Sequence, residues 1–110
     1  MAVMVWVSGQ TQLEIYFLRG LLWCEPCGEL LVPAKTADDW RFYGCPGRSC
    51  PRPIIEAALV EAAVWQRYTA LNEEAAGRVR RDQRREALVE LLTRVTVGST
   101  IVDLGFDWRD

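Results

Sequence analysis

The spacing of apolar residues divides the chain into a front half of short strands and a back half of helices. Residues 2–7, AVMVWV, are β-branched and aromatic and predict a strand closed by Ser8-Gly9. Its pairing partner is not readable from the sequence. Residues 10–19 contain LEIYFL, which fits a short helix or a strand, and Gly20 ends it. Leu21, Leu22 and Trp23 predict a strand, Gly28 to Val32 a return strand, 33–39 a polar loop, and Trp40 to Tyr43 a strand with aromatics on both faces. From Pro53 the period lengthens. Pro53 suits a first helical turn, where its missing N–H costs nothing, and Glu56 in that turn complements the helix dipole. The run to Ala76 has no glycine or proline. It places Val60, Val64, Tyr68, Leu71 and Ala75 on one stripe, and Ile55, Leu59 and Ala62 on a second, so its first turns are expected to be widely buried. Gly77 marks a break, and a second helix follows with Leu88, Leu91, Leu92 and Val95 as its apolar stripe. Residues 96–99 (TVGS) turn the chain into a closing strand at 100–104 that ends near Phe106-Asp107-Trp108.

All four cysteines lie between Leu21 and Pro53. Cys24 and Cys27 form a C-x2-C pair, and Cys45 and Cys50 form a C-x4-C pair, the spacing of a four-thiolate zinc ribbon. Each pair suits a tight turn whose two sulfurs converge on one ion, with Pro26, Gly28, Pro46 and Gly47 supplying the turn chemistry. The chain has no histidine, so four thiolates are the conventional zinc site open to it. Two disulfides of a small secreted domain are the first rival, but residues 1–20 lack a basic start, a sustained apolar stretch and a small-residue cleavage site. A thioredoxin-like dithiol is the second, but a glycine and a strand-like run follow Cys27 where a helix should open. Catalytic zinc keeps an open position, whereas four thiolates close the shell. One structural Zn²⁺ is therefore expected.

The fold class these elements predict is α+β: a small four-cysteine zinc β-ribbon followed by two α-helices and a C-terminal β-strand. A single domain is expected over 1–110, with 1–20 as N-terminal strand and lead-in, 21–53 as zinc ribbon, 54–95 as helical arm and 96–110 as closing strand. A hydrophobic content of 50% over 110 residues suffices for one core. No run reaches the ~20 apolar residues of a membrane helix, so neither a membrane nor export is expected, and unpaired zinc-type thiols point to the cytoplasm. The net charge of −2 does not announce a nucleic-acid binder, but its distribution is uneven. Residues 78–85 carry five arginines against one aspartate, whereas the tail from Glu86 carries five acids against two arginines.

In their order these pieces resemble the zinc β-ribbon domain of the large serine recombinases, the serine integrases. The resemblance is carried by Leu18-Arg19-Gly20-Leu21-Leu22 before the first cysteine, by Cys24-Glu25-Pro26-Cys27-Gly28 and by Phe42-Tyr43-Gly44-Cys45. It continues through Arg52-Pro53-Ile54, the helix segment Val60-Glu61-Ala62-Ala63-Val64-Trp65, and the closing Val95-Thr96-Val97-Gly98 with Phe106-Asp107-Trp108-Arg109. The resemblance implies a domain that binds attachment-site DNA, and in the family a coiled coil projecting from it governs synapsis. Two features depart from the pattern. The chain has no room for the family's catalytic domain, so no catalytic residue is expected, and the interval from Trp65 to Arg84 leaves only a stub, 72–82, for the coiled coil.

With this resemblance, double-stranded DNA becomes the expected partner, and a small-molecule substrate is not expected. The candidate DNA-binding residues are Arg41, Arg48 and Arg52 around the ribbon, beside Lys35, and Arg78, Arg80, Arg81, Arg84 and Arg85 on the arm; the planar fork of arginine fits phosphates and guanine edges. The same run also reads as a solvated helix face, since Glu74 and Asp82 lie four residues either side of Arg78. The five tryptophans either cover a small core or form a protein-binding surface. The alternative function is thus a zinc-stabilised interaction module that modulates a serine recombinase or another protein.

Overall fold

The computed structural model describes residues 5–7, 9–47, 50, 54–98, 100–101 and 103–109, with backbone only for Gln10 and Thr11. The front half supplies β1 (Val5–Trp6), α1 (Gln10–Leu13), β2 (Leu22–Cys24), β3 (Val32–Lys35), β4 (Arg41–Gly44) and β5 (Ile55–Glu56). Next come α2 (Ala57–Leu71), α3 (Glu73–Ala76), a 3-10 turn at Arg81–Gln83, α4 (Arg84–Leu91), β6 (Leu92–Val97) and β7 (Leu104–Trp108). The α+β class is as the sequence predicts, strands first and helices after, but the strands form two sheets. The first is antiparallel in the order β1-β3-β4-β5, and the second runs β2-β6-β7 with β2 and β6 parallel. One hydrophobic cluster joins them: Leu22 and Cys24 of β2, Tyr43 of β4, Val60, Val64 and Tyr68 of α2, Leu88 of α4, and Val95 and Val97 of β6.

Several boundaries differ from the sequence expectations, each for a physical reason. After the first knuckle the chain returns along β2 as expected, through the antiparallel bridge Trp23↔Leu30, and the longer strand follows at 32–35 and includes Pro33. The Pro33 carbonyl accepts from the N–H of Val7 (3.0 Å), so its ring nitrogen faces β1 at the end of that ladder, and the one bond it cannot return is the terminal one to Val7. Ile55 and Glu56 pair with Tyr43 and Phe42 as a strand, so α2 begins at Ala57 and not in the turn after Pro53; Pro53 itself lies outside the described residues. The long helix breaks at Asn72, whose N–H and side-chain Nδ2 both donate to the Tyr68 carbonyl (2.9 and 3.2 Å), while Gly77 keeps right-handed dihedrals. Of the predicted stripes Ile55, Val60, Val64 and Tyr68 are buried, Ile55 from β5, but Leu59, Leu71, Ala62 and Ala75 are exposed. Finally, Leu92 and Val95 belong to β6 rather than to the second helix. The run LTRVTV is rich in β-branched residues, and Leu22 to Cys24 offers it a parallel partner in the register Leu22↔Val95.

The hairpin between β3 and β4 turns on Thr36, whose carbonyl accepts from Asp39 N–H (3.0 Å) and whose Oγ1 accepts from Trp40 N–H (3.3 Å). Asp39 there has φ of 61°, a left-handed conformation that strains a side chain. Its ion pair with Lys35 (3.1 Å) is exposed and contributes little. Asp39→Gly is therefore expected to stabilise the fold by about 1 kcal/mol, raising the melting midpoint by roughly 4 °C. A lower midpoint would mean that the Lys35 pair outweighs the strain.

Candidate metal centre and nucleic-acid interface

The two knuckles are built at the ends of different sheets. Cys24 closes β2, its N–H bonds the Glu29 carbonyl (2.8 Å), and its carbonyl accepts from Gly28 (2.7 Å), making a tight turn. Gly28 sits at φ 70°, which permits that turn. The second knuckle follows β4 directly, and the N–H of Cys50 bonds the Gly47 carbonyl (3.2 Å). The Glu25 N–H bonds the Val97 carbonyl (3.0 Å), which fastens the first knuckle to β6.

All four sulfurs lie within 4.8 Å of one another, with Cys27 and Cys45 at 3.1 Å and Cys24 and Cys50 at 3.6 Å. Thiolates 2.3 Å from a tetrahedral zinc are about 3.8 Å apart, so this cluster fits one ion. Backbone amides of Glu29 and Gly47 point to the sulfurs of Cys27 and Cys45, the pattern that favours thiolates. Without a cation the crowding works the other way: burial and the adjacent Cys27 push the Cys45 thiol up to about 12. A metal that held the four would join the end of the second sheet to the end of the first. Of the four ligands Cys24 is fully buried and Cys27 exposed.

The arginines fall into two groups. Arg41 faces inward: its Nη1 and Nη2 donate to Oε2 and Oε1 of Glu61 (3.0 and 2.7 Å), and Nη1 also donates to the Ile15 carbonyl (2.8 Å). Glu61 is 4% exposed in the middle of α2 and also accepts from the Tyr43 hydroxyl (2.7 Å), which in turn accepts from Leu18 N–H (3.2 Å). Burial, with the carboxylate beside it, holds the Tyr43 hydroxyl well above its usual range. Arg84 lies against Trp65 of α2 (4.7 Å) and Phe17 (6.0 Å), and Arg85 donates to the carbonyls of Phe17 and Arg19, so the two dock α4 on α2 and on the lead-in loop. Arg78, Arg80 and Arg81 are exposed, with surface pairs from Arg78 to Glu74 (2.8 Å) and from Arg80 to Asp82 (3.6 Å). Arg48 and Arg52 lie outside the described residues.

Sequence reasoning missed Glu61 as the centre of the clamp, although the Glu-x-x-Val-Trp segment contains it. A glutamate flanked by Val60 and Val64 on an apolar stripe was the available signal. It also missed Arg67 over Phe106 (5.6 Å) and Arg94 over Trp23 (4.4 Å), which cap aromatic rings on the second sheet. Trp6 and Trp40 remain exposed. Trp40 stacks on Phe42 (6.0 Å), and the Trp6 ring crosses Gly44, where a Cβ would stand 3.1 Å from it.

Among the described residues no helix is long and apolar enough to cross a membrane. No curated protein matches the chain. A chain solved in a study of the sequence requirements of the Listeria innocua prophage attP site is similar in fold, with a TM-score of 0.62 at 15% identity. The likeness covers 84% of this chain and 42% of that one, so this chain spans less than half of its structural relative. The family model of the recombinase zinc beta ribbon domain matches residues 17–69, the stretch that holds both knuckles and the Arg41–Tyr43–Glu61 clamp. Over residues 17–69 this chain is thus similar to the recombinase zinc beta ribbon domain.

Proposed function

We propose that the chain is a non-catalytic DNA-binding protein of recombinase type, folded as one domain around a structural zinc ion and acting on double-stranded DNA in the cytoplasm. The match of residues 17–69 to a recombinase zinc ribbon carries this reading. The likeness to a chain studied with a prophage attP site supports it. Charge supports it as well. The charged residues of the first knuckle, Glu25 and Glu29, are acidic and exposed, whereas Arg78, Arg80 and Arg81 stand exposed at the stub and Arg48 and Arg52 flank Cys50 in sequence. DNA is accordingly expected at the stub and the second knuckle. The exposed pairs of Arg78 and Arg80 are each worth less than about 1 kcal/mol, so phosphates can displace them. Arg41, Arg84 and Arg85 serve by positioning.

A fluorescence-anisotropy titration of the zinc-loaded protein against labelled duplex, at several salt concentrations, tests the reading. Five phosphate-bound arginines give a log–log salt slope of about −4.5, and three give about −2.7. Changing Arg78, Arg80 and Arg81 together to Ala is expected to weaken binding at least tenfold and to flatten the slope by about 2.7, with zinc content unchanged. Unchanged affinity would locate binding elsewhere. Absence of binding at low salt would reject the reading. A second reading, a protein-interaction module, is favoured by the outer face of the first sheet, where Trp6 (54%) and Trp40 (57%) are exposed beside Phe42 and Ile54. An aromatic interface differs in being nearly indifferent to salt.

A further inference from the structure

The sulfur cluster is asymmetric. Cys24 is fully buried within β2, whereas Cys27 at the tip of its knuckle is exposed. The Cys27 sulfur also has a close neighbour across the cluster, Cys45 Sγ at 3.1 Å, while Cys24 Sγ lies 3.6 Å from Cys50 Sγ. Beside Cys27 and Cys45 stands Gly47, whose missing Cβ would lie 3.4 Å from Cys45 Sγ and 3.6 Å from Cys27 Sγ. That side of the two sulfurs is covered by no side chain of residue 47. Accessible thiolates are the ones that small oxidants reach, and the nearest thiolate resolves the product.

We propose that Cys27 and Cys45 are an oxidant-sensitive pair that closes as a disulfide across the two knuckles, releasing the metal while keeping the two sheets linked. The chemistry needs a peroxide. The Cys27 thiolate attacks one peroxide oxygen, the O–O bond breaks, hydroxide leaves, and Cys27 becomes a sulfenic acid. The Cys45 thiolate then attacks the Cys27 sulfur and displaces a second hydroxide as the S–S bond forms. Two electrons pass from the sulfur pair to the peroxide, and a dithiol reductant reverses the change. An ion held by the four sulfurs loses two ligands in this reaction. The link between β4 and the first knuckle survives, because Cys45 follows Gly44 directly and Cys27 belongs to the turn fastened to β6 through Glu25. Oxidation and chelation therefore lead to different metal-free states: one cross-linked, one not.

Hydrogen peroxide added to zinc-loaded protein, with released zinc followed by a chromogenic chelator, tests this. One bound zinc per chain at the start separates a failure of this proposal from a failure of the metal assignment. Cleavage after Glu29, Arg41 and Arg48 separates Cys45 from Cys50 and from one peptide that holds Cys24 and Cys27, and fragmentation of the bridged peptide under non-reducing conditions tells those two apart. The expected first product is the Cys27–Cys45 bridge, formed at the rate of zinc release, with Cys24 and Cys50 still free thiols. The oxidised protein should keep a cooperative melt that the chelator-stripped, reduced protein lacks, and dithiothreitol with zinc should restore the starting state. A first bridge between Cys24 and Cys27 or between Cys45 and Cys50, sulfinic acid at Cys27 without bridging, or a melt no better than the stripped protein's would overturn it. Gly47→Ala adds a methyl at ordinary contact distance and is expected to slow bridging several-fold while zinc stoichiometry stays at one. An unchanged rate would reject the bare Gly47 side as the route of attack.

Discussion

Cys24→Ser is expected to leave the chain without bound zinc and without a cooperative thermal transition. Cys24 combines two roles that the other three cysteines do not: it is a member of the sulfur cluster and a fully buried part of the hydrophobic core, paired with Val97 across the parallel β2–β6 contact. Serine gives zinc a hard, protonated oxygen in place of a thiolate and puts a hydroxyl among apolar neighbours. Zinc in small structural modules contributes about 10–16 kcal/mol at neutral pH. That matches or exceeds the whole net stability of a typical domain, about 5–15 kcal/mol. Cys27→Ser should also lose zinc but spare the core, because Cys27 is exposed, and its residual structure should exceed that of Cys24→Ser. Zinc stoichiometry by mass spectrometry and melting by circular dichroism check both. Full zinc and a cooperative melt in Cys24→Ser and Cys50→Ser alike would remove the four-thiolate assignment. The pH dependence has a definite sign. With no cation present the Cys45 thiol is pushed up to about 12, chiefly by burial, so binding must displace its proton. Affinity then falls as pH falls, by up to tenfold per pH unit for each proton displaced.

Much of this was legible in the sequence because it is written locally. Knuckle spacing is fixed by the reach of two sulfurs from one turn, so Cys24, Cys27, Cys45 and Cys50 could be brought together on paper before any strand was paired. The β2 strand, the aromatic strand at Arg41–Gly44 and the apolar stripe of Val60, Val64 and Tyr68 followed from residue pattern for the same reason. What the pattern concealed was non-local. Leu92 and Val95 fit a helical stripe as well as a strand, and only the distant β2 decides between them, by offering a parallel edge. Pro33 opens the run expected as a polar loop, 33–39, and its place in β3 beside the end of β1 is a tertiary fact.

The arginines show the same limit in the candidate site. Counting charge along the sequence puts Arg41, Arg84 and Arg85 in one class with Arg78, Arg80 and Arg81. Whether a guanidinium meets solvent depends on what stands opposite it after folding. Arg41 meets a buried glutamate, Arg84 meets Trp65, and Arg85 meets two backbone carbonyls. The three that stay exposed follow the break of α2 at Asn72.

Glu61→Ala is expected to destabilise the zinc-loaded protein by about 3–5 kcal/mol, since breaking a buried pair strands its partners. Arg41 would keep its charge with only the Ile15 carbonyl and the face of the Tyr16 ring (5.0 Å) beside it, and the Tyr43 hydroxyl would lose its acceptor. The melting midpoint should drop by roughly 12–20 °C while bound zinc stays at one, because the clamp joins α2 to β4 without touching a sulfur. Replacing both charges, Arg41→Met with Glu61→Leu, should recover most of the loss, leaving about 1–3 kcal/mol for the unsatisfied Tyr43 hydroxyl. Arg41→Lys then separates the internal role from a DNA contact. A lysine cannot make the two parallel bonds to Glu61, so it should lower the melting midpoint. Because the Arg41 guanidinium is engaged by Glu61, DNA affinity of the folded protein should be unchanged. The opposite pattern, an unaltered midpoint with weakened binding, would return Arg41 to the nucleic-acid surface and would require Glu61 to hold the ribbon without it.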